Sequence, residues 1–357
     1  MTPLRRVRPT GRTLDHKGPV TRWRPILLLA GLAGCLALLC LLSLALGALR
    51  VPLGQVADTL LGHPPSRMVD NVVWTVRLPR TWLALATGMG LGLAGMLMQA
   101  LTRNPLADPG LLGVTAGSSF GVVIAVGLLG FGSLYEYVWF AFAGAAAASV
   151  VVYLLGRMGR SGLTPVKLAL AGIAITALLN SLTSAIVVLE PDALRRYRYW
   201  AAGSLADLPG DVVKNVLPFL AVGAVLALAC APALNSLALG DDVALALGRR
   251  VGLIRLQGVL AIMVLVGASV AVIGPVVFLG LIVPQIARVL AQWAGLGPDH
   301  RWLLPLSGLL SPILLLAADI LGRVIMRPVE IQAGVLIAFI GGPFFIAMVR
   351  RRRLAEV

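Results

Sequence analysis

The side chains able to do chemistry are few in this sequence, and none is spaced for catalysis. The three lysines, Lys17, Lys167 and Lys214, never sit in a Gly-Lys-Ser/Thr context, so no P-loop is present and the chain has no ATPase site of that kind. His16, His63 and His300 are scattered between apolar runs, and Cys35, Cys40 and Cys230 lie inside them, with no metal or disulfide spacing. Asp108, Asp319 and Glu330 fall at the ends of apolar runs rather than mid-span, where a proton-coupled carrier usually keeps an ionisable group. No enzyme activity and no metal site are expected.

The most telling stretch is Arg103–Gly113, reading Arg-Asn-Pro-Leu-Ala-Asp-Pro-Gly-Leu-Leu-Gly between two long apolar runs. Two prolines and an Asn/Asp pair break the chain there. Within a bilayer such a break is tolerated only where the backbone is buried in protein or lines a cavity, which points to a translocation path or gate. The alternative is an ordinary interhelical turn with Asn104 and Asp108 as caps.

A second polar stretch, Leu234–Gly252, reads as two short helices. Gly240 stops the first, and Asp241 and Asp242 cap the second, which Gly248 ends ahead of Arg249. Two short helices with apolar faces have little to pack against by themselves. The pair suits a docking knob for a soluble partner; the alternative is an amphipathic segment on lipid headgroups.

These stretches must be held by membrane spans. The chain is 59% hydrophobic and 13% charged, with a mean hydropathy of +0.93, which places all 357 residues in the polytopic membrane class. The net charge of +15 would suggest nucleic acid in a soluble protein; here it sits in loops and termini, so topology explains it and no nucleic-acid partner is expected. Apolar runs predict an all-α fold of about ten spans, near 26–49, 81–101, 111–130, 137–156, 168–189, 213–233, 256–274, 276–294, 302–321 and 331–349. Leu256–Ala287 has no charge, and as one helix would measure about 48 Å, too long for a single crossing. Gly274-Pro275 is the natural break, giving two short spans joined by a tight turn.

With that break, the arginine-rich N-terminal tail and Arg350–Arg353 share one side with Arg103, Lys167, Arg249 and Arg255, as the positive-inside rule requires. Both termini are therefore expected in the cytoplasm. Residues 1–25 form a basic tail, 26–349 the membrane domain and 350–357 a second tail. The first apolar run is too long for a signal peptide's apolar region of roughly 7–15 residues.

In this order the motifs resemble one family: the FecCD-type permease subunits of bacterial ATP-binding-cassette importers for ferric siderophores, haem and cobalamin. The carriers are Arg77-Leu78-Pro79-Arg80, Gly95–Gln99, Asn104–Pro109 with Leu112-Gly113, and Leu170-Ala171-Gly172. Further along come Tyr199-Trp200 with Gly203-Ser204, Asn235–Gly248, Gly274–Pro284, Asp299-His300-Arg301, Ala318-Asp319 with Arg323, and Gly341–Phe344. The likeness covers about residues 70–350. Two positions depart from the family pattern. Gln285 stands where the family usually has His, and Glu330-Ile331-Gln332-Ala333-Gly334 lacks the usual proline. Leu101–Val114, Asp299–Pro305 and Asp319–Arg327 look most like the ferric-enterobactin branch.

The resemblance implies a type II importer permease fold in the bacterial cytoplasmic membrane. It also implies two copies of an ATPase subunit carrying ATP and Mg, and no cofactor on this chain. A second permease subunit is expected, a different chain rather than a second copy, with an extracytoplasmic substrate-binding lipoprotein and a ferric siderophore, catecholate or similar, as cargo. A cobalamin or haem cargo is the alternative, and a stand-alone proton-coupled carrier a more remote one. By residue, the likeness implies a cytoplasmic gate at Asn104 and Leu106 with a companion at Thr164 and Pro165. It implies ATPase coupling by Leu237, Leu239, Gly240, Asp241, Asp242, Ala244, Leu247, Gly248 and Arg249. Arg77, Arg80 and Arg323 would meet acidic residues of the binding protein, which suits arginine's bidentate fork; the alternative for the first two is interfacial anchoring. Arg195, Arg196 and Arg198 would give the outer pathway mouth a positive field for an anionic cargo; the alternative is loop solvation.

Overall fold

The computed structural model describes residues 23–47, 49–158, 164–189, 197–198, 200–206, 208, 210–327 and 329–355. The described residues form helices and connecting turns. Those in the membrane class are α1 (Trp23–Ala45), α4 (Leu78–Thr102), α5 (Val114–Val123), α6 (Leu134–Arg157), α7 (Pro165–Leu189) and α8 (Asp211–Ala229). They continue with α11 (Val251–Ile273), α12 (Leu279–Trp293), α13 (His300–Ile325) and α14 (Ala333–Ala355). Four short helices lie between them: α2 (Leu53–Leu60), α3 (Arg67–Asn71), α9 (Ala231–Ala238) and α10 (Asp241–Ala246). Seven helical stretches are long and apolar enough to cross a bilayer; three more, 114–128, 279–293 and 333–348, are apolar but shorter. Together they match the ten expected runs in order.

Three inner helices, α4, α11 and α13, are mostly buried, while α1, α7 and α8 leave most of their apolar surface exposed. An inner helix in a membrane gains nothing from hydrophobicity against its neighbours, because lipid is equally apolar; close backbone packing takes over. Gly92 and Gly95 on α4 show this. A Cβ on Gly92 would stand 2.3 Å from the Ser307 carbonyl oxygen of α13, and one on Gly95 would stand 2.1 Å from that of Gly280 in α12.

Three boundaries differ from expectation. The second span was expected from residue 81, with Arg77 and Arg80 at its edge; the helix instead runs unbroken through both, from Arg67 to Thr102 with a π-helical turn at Val72–Arg77. The charges are tolerated because they are compensated inside the protein, as shown below. At the other end, α14 runs on to Ala355, through residues expected to be tail. The third difference is at Gly274-Pro275. The break falls where proline requires it, but the chain does not make a tight turn. Gly274–Phe278 is non-helical, and α12 has only 15 residues. That helix is about 22 Å long, short of the ~30 Å hydrocarbon core, so non-helical backbone must cover the rest. Its first residue is buried, with Gly274 against the Trp200 carbonyl, while Val277 is 52% exposed.

The Gly95–Gly280 approach gives a direct test. Gly95→Ala is expected to lower the thermal unfolding midpoint of the purified protein, at a cost of about 1–3 kcal/mol for overpacking. Gly31→Ala in α1, where a Cβ meets nothing within 4 Å, is expected to leave it unchanged. Equal midpoints for the two variants would contradict the packing.

Candidate functional site

Two polar clusters stand at opposite ends of the inner helices. At the first, the α1 chain ends in carbonyls without helical partners, as every helix does. Arginines meet them. Arg77 Nη1 donates to the carbonyls of Leu44 (2.6 Å) and Ala45 (2.9 Å), and Nη2 to that of Leu49. Arg323 donates through Nη1 to the Ser43 carbonyl (3.0 Å) and through Nη2 to the Ser43 hydroxyl (3.0 Å). A cation at a helix C-terminus also answers the dipole there.

Asp319 links this cap to the rest. Its Oδ1 accepts from Arg80 Nη2 at 2.7 Å and its Oδ2 from Arg323 Nε at 3.0 Å. Arg80 Nη1 reaches Glu330 Oε2 at 2.8 Å. Arg77, Arg80 and Arg323, expected as exposed docking forks, are thus buried at 4%, 9% and 2% exposure, with their donors turned inward. They tie α1, α4, α13 and the turn before α14 together. Of this cluster Glu330 is the most open, and with Arg80, Tyr137, Trp200, Ser204 and Gln332 it lines a cavity of about 650 Å³. Arg198 is exposed; Arg195 and Arg196 lie outside the described residues.

The second cluster surrounds Arg103–Gly113. Helix α4 ends at Arg103 in the left-handed region (φ 49°), uncommon for a non-glycine residue. The next turn is held locally. Asn104 Oδ1 accepts from the Leu106 N–H at 2.9 Å, and Asp108 Oδ1 from the Gly110 N–H at 2.8 Å. Gly113 (φ 72°) then starts α5. From one side, Gln285 Nε2 donates to the Pro105 carbonyl at 2.7 Å, while Arg288 Nη1 donates to Gln99 Oε1 at 2.7 Å and Gln99 Nε2 to the Leu281 carbonyl at 3.2 Å. From the other side, Arg103 Nη2 donates to the Leu237 carbonyl at 2.6 Å and pairs with Asp241 Oδ1 at 2.5 Å.

The hairpin Ala231–Leu247 divides into an anchored and an open face. Leu234, Leu237 and Ala244 are buried against the body, so the last two serve as anchors rather than contacts for a partner. Leu239, Val243, Leu245 and Leu247 are exposed at 67%, 43%, 57% and 59%. Gly240 (φ 119°) makes the elbow, a conformation that favours glycine. Asp241 and Asp242 were expected as caps; the N-cap is Gly240, and the Asp241 carboxylate instead pairs with Arg103 and, at 2.7 Å, with Arg255. Asp242, Gly248 and Arg249 are exposed. Asn235 fixes the base of the hairpin, its Oδ1 accepting from the His300 N–H at 2.9 Å and its Nδ2 donating to Asp299 Oδ1. The Arg301 N–H, and then the Asn235 amide, hold the Asp299 carboxyl below the usual carboxylate range. Thr164 caps α7, accepting from the Lys167 N–H at 3.3 Å; no hydrogen bond joins it to residues 103–113 among the described residues, and Pro165 opens α7.

Sequence reasoning missed Gln99, Arg103, Arg255, Gln285 and Arg288 as a group. Gln99 carried a usable signal, as an amide inside an apolar run. Gln285 was noticed only as a departure from a family pattern.

Among the described residues, ten apolar helices, with non-helical breaks between them and an open apolar hairpin beside them, make a polytopic membrane protein. The chain belongs to the FecCD transport family, whose model matches residues 35–351. It is 49% identical over 312 residues to the ferric enterobactin transport system permease protein FepD of Escherichia coli (strain K12), covering 87% of this chain and 91% of that one. It is 43% identical to the Fe(3+)-citrate import system permease protein YfmD of Bacillus subtilis (strain 168), covering 79% and 82%. With the hemin transport system permease protein HmuU of Yersinia pestis it shares 36% identity, covering 93% and 98%. Among solved structures it resembles a metal-chelate type ABC transporter in an inward-facing conformation, with a TM-score of 0.78, 28% identity, and coverage of 92% and 99%.

The arginine cluster is structural, and it predicts a structural loss. Asp319→Ala leaves the buried Arg323 guanidinium without a carboxylate and Arg80 with Glu330 alone, and breaking a buried pair in this way costs about 3–5 kcal/mol. The variant is expected to accumulate poorly and to melt well below the parent in detergent. A parent-like melting temperature would overturn the assignment.

Proposed function

We propose that this chain is the membrane permease subunit of an ATP-binding-cassette importer that moves a ferric siderophore, catecholate or similar, across the bacterial cytoplasmic membrane. The observation that carries the reading is the open apolar face of the hairpin beside the broken segment 103–113. Four exposed apolar side chains clustered outside any span mark a surface for a partner. A soluble ATPase subunit suits that role, one copy on this chain and one on a second permease. The name and 49% identity of the enterobactin relative favour a ferric catecholate cargo.

In this reading both termini are cytoplasmic, as the basic residues demand. Asn104 and Leu106 close the inner end of the pathway, with Thr164 and Pro165 as their companion. Leu106 blocks by apolar bulk, since a narrow hydrophobic constriction resists wetting. At the outer end a substrate-binding lipoprotein covers the cavity beside Glu330. Arg77, Arg80 and Arg323 serve it indirectly, by fixing the shape of that surface, and Arg195, Arg196 and Arg198 supply a positive field for an anionic complex. ATP and Mg belong to the ATPase subunits. A proton-coupled carrier fits less well: Asp319, the buried carboxylate, is held by two arginines and is no free proton carrier.

Affinity capture of the native complex tests this. An ATPase subunit, a second permease chain, a binding lipoprotein and a bound ferric chelate are expected to come down together. A chain that purifies alone would overturn the reading. Leu245→Asp with Leu247→Asp is expected to weaken recovery of the ATPase subunit at least tenfold, since losing apolar interface anchors costs about 2 kcal/mol or more. Undiminished recovery would mean that the hairpin is not the docking site.

A further inference from the structure

Asp241 opens α10, directly after the Gly240 elbow, and both of its oxygens are engaged. Oδ1 takes Arg103 at 2.5 Å and Oδ2 takes Arg255 at 2.7 Å. The same Arg103 Nη2 also donates to the Leu237 carbonyl, in the last turn of α9. One nitrogen therefore bridges the two legs of the hairpin across its elbow. Arg103 is also the residue at which α4 ends and the broken segment begins, next to Asn104. Its left-handed backbone turns the chain out of α4 while its side chain reaches under the hairpin. Leu101, two residues earlier, packs on Gly258 of α11, one turn beyond Arg255.

We infer that Arg103 is a positioning residue that links the hairpin mechanically to segment 104–106, with Asp241 as the shared node. The inference rests on the permease reading. When the hairpin shifts under its ATPase partner, Asp241 moves about the Gly240 elbow. Arg103 follows it, and the peptide joining Arg103 to Asn104 moves with the arginine. Gln285 holds the Pro105 carbonyl from the opposite side, so a pull at Arg103 turns the segment instead of carrying it along. Arg255 anchors the node to α11. The Arg103 and Asp241 side chains are 41% and 37% exposed, and an ion pair this open adds little to folding. Its removal therefore isolates the linkage from stability.

The test uses the full complex with its ATPase subunit in membrane vesicles. Cys35, Cys40 and Cys230 are replaced, and Leu106→Cys is the reporter for a cytoplasmic, membrane-impermeant thiol reagent. Labelling rates are compared with and without ATP plus vanadate. With Arg103 intact the rate is expected to change several-fold with nucleotide. With Arg103→Gln that ratio is expected to collapse to one, while the ATPase subunit still copurifies and ATP is still hydrolysed. Arg103→Lys should restore part of the ratio, because one ammonium can hold Asp241 without matching the guanidinium fork. Arg255→Gln should keep it. An undiminished ratio in Arg103→Gln overturns the linkage, and so does loss of the ATPase subunit from that variant, which would make Arg103 a shaper of the docking face. A reporter that ignores nucleotide even with Arg103 present overturns segment 104–106 as the gate, and the linkage with it, while the permease reading stands or falls on recovery of the ATPase subunit.

Discussion

A bilayer has no water to offer an unpaired peptide group, and this fold is arranged around that shortage. Every place where the chain stops being helical at depth must find its hydrogen bonds inside the protein. The α1 terminus finds them in Arg77 and Arg323, and segment 103–113 in Asn104, Asp108 and Gln285. Each solution brings side chains of distant sequence together. Breaks are therefore where the molecule is most tightly cross-connected.

The same constraint explains the division of labour between the two ends. At the Arg80–Asp319–Arg323 end the charges are buried and mutually compensated, with Asp319 1% exposed. Such a cluster is costly to break and suits a fixed surface. At the other end the ion pairs of Asp241 are partly open to solvent. Open pairs exchange partners at little cost, which suits a part that moves. Close glycine contacts such as Gly95 on Gly280 pack α4 on α12.

The sequence was a good guide wherever composition along the chain decides the outcome. The ten apolar runs, the Gly274-Pro275 break, the break at Arg103–Gly113 and the short hairpin helices were all legible, because hydropathy, proline and glycine act locally. It was a poor guide wherever the outcome depends on what lies across the fold. Arg77 and Arg80 read as an exposed edge because arginine rarely enters a span uncompensated. The partners of Arg80, Asp319 and Glu330, lie 239 and 250 residues from it, and those of Arg77 are carbonyls at the end of α1. The five-residue non-helical stretch after Ile273 was hidden for a similar reason: its first residue, Gly274, packs on the Trp200 carbonyl of a distant part of the chain. Asp241 looked like a cap, which is the common local use of an aspartate in that position; its partners come from the ends of two other helices.

The central claim is that this membrane unit moves its cargo only when a separate ATPase acts on the hairpin. Proteoliposomes containing the purified complex, with binding lipoprotein outside and ATP trapped inside, measure this directly through uptake of a radiolabelled ferric catecholate complex. The account predicts uptake that needs internal ATP and survives collapse of the proton gradient by an ionophore. Uptake that proceeds without ATP, and stops when the proton gradient is collapsed, would contradict it.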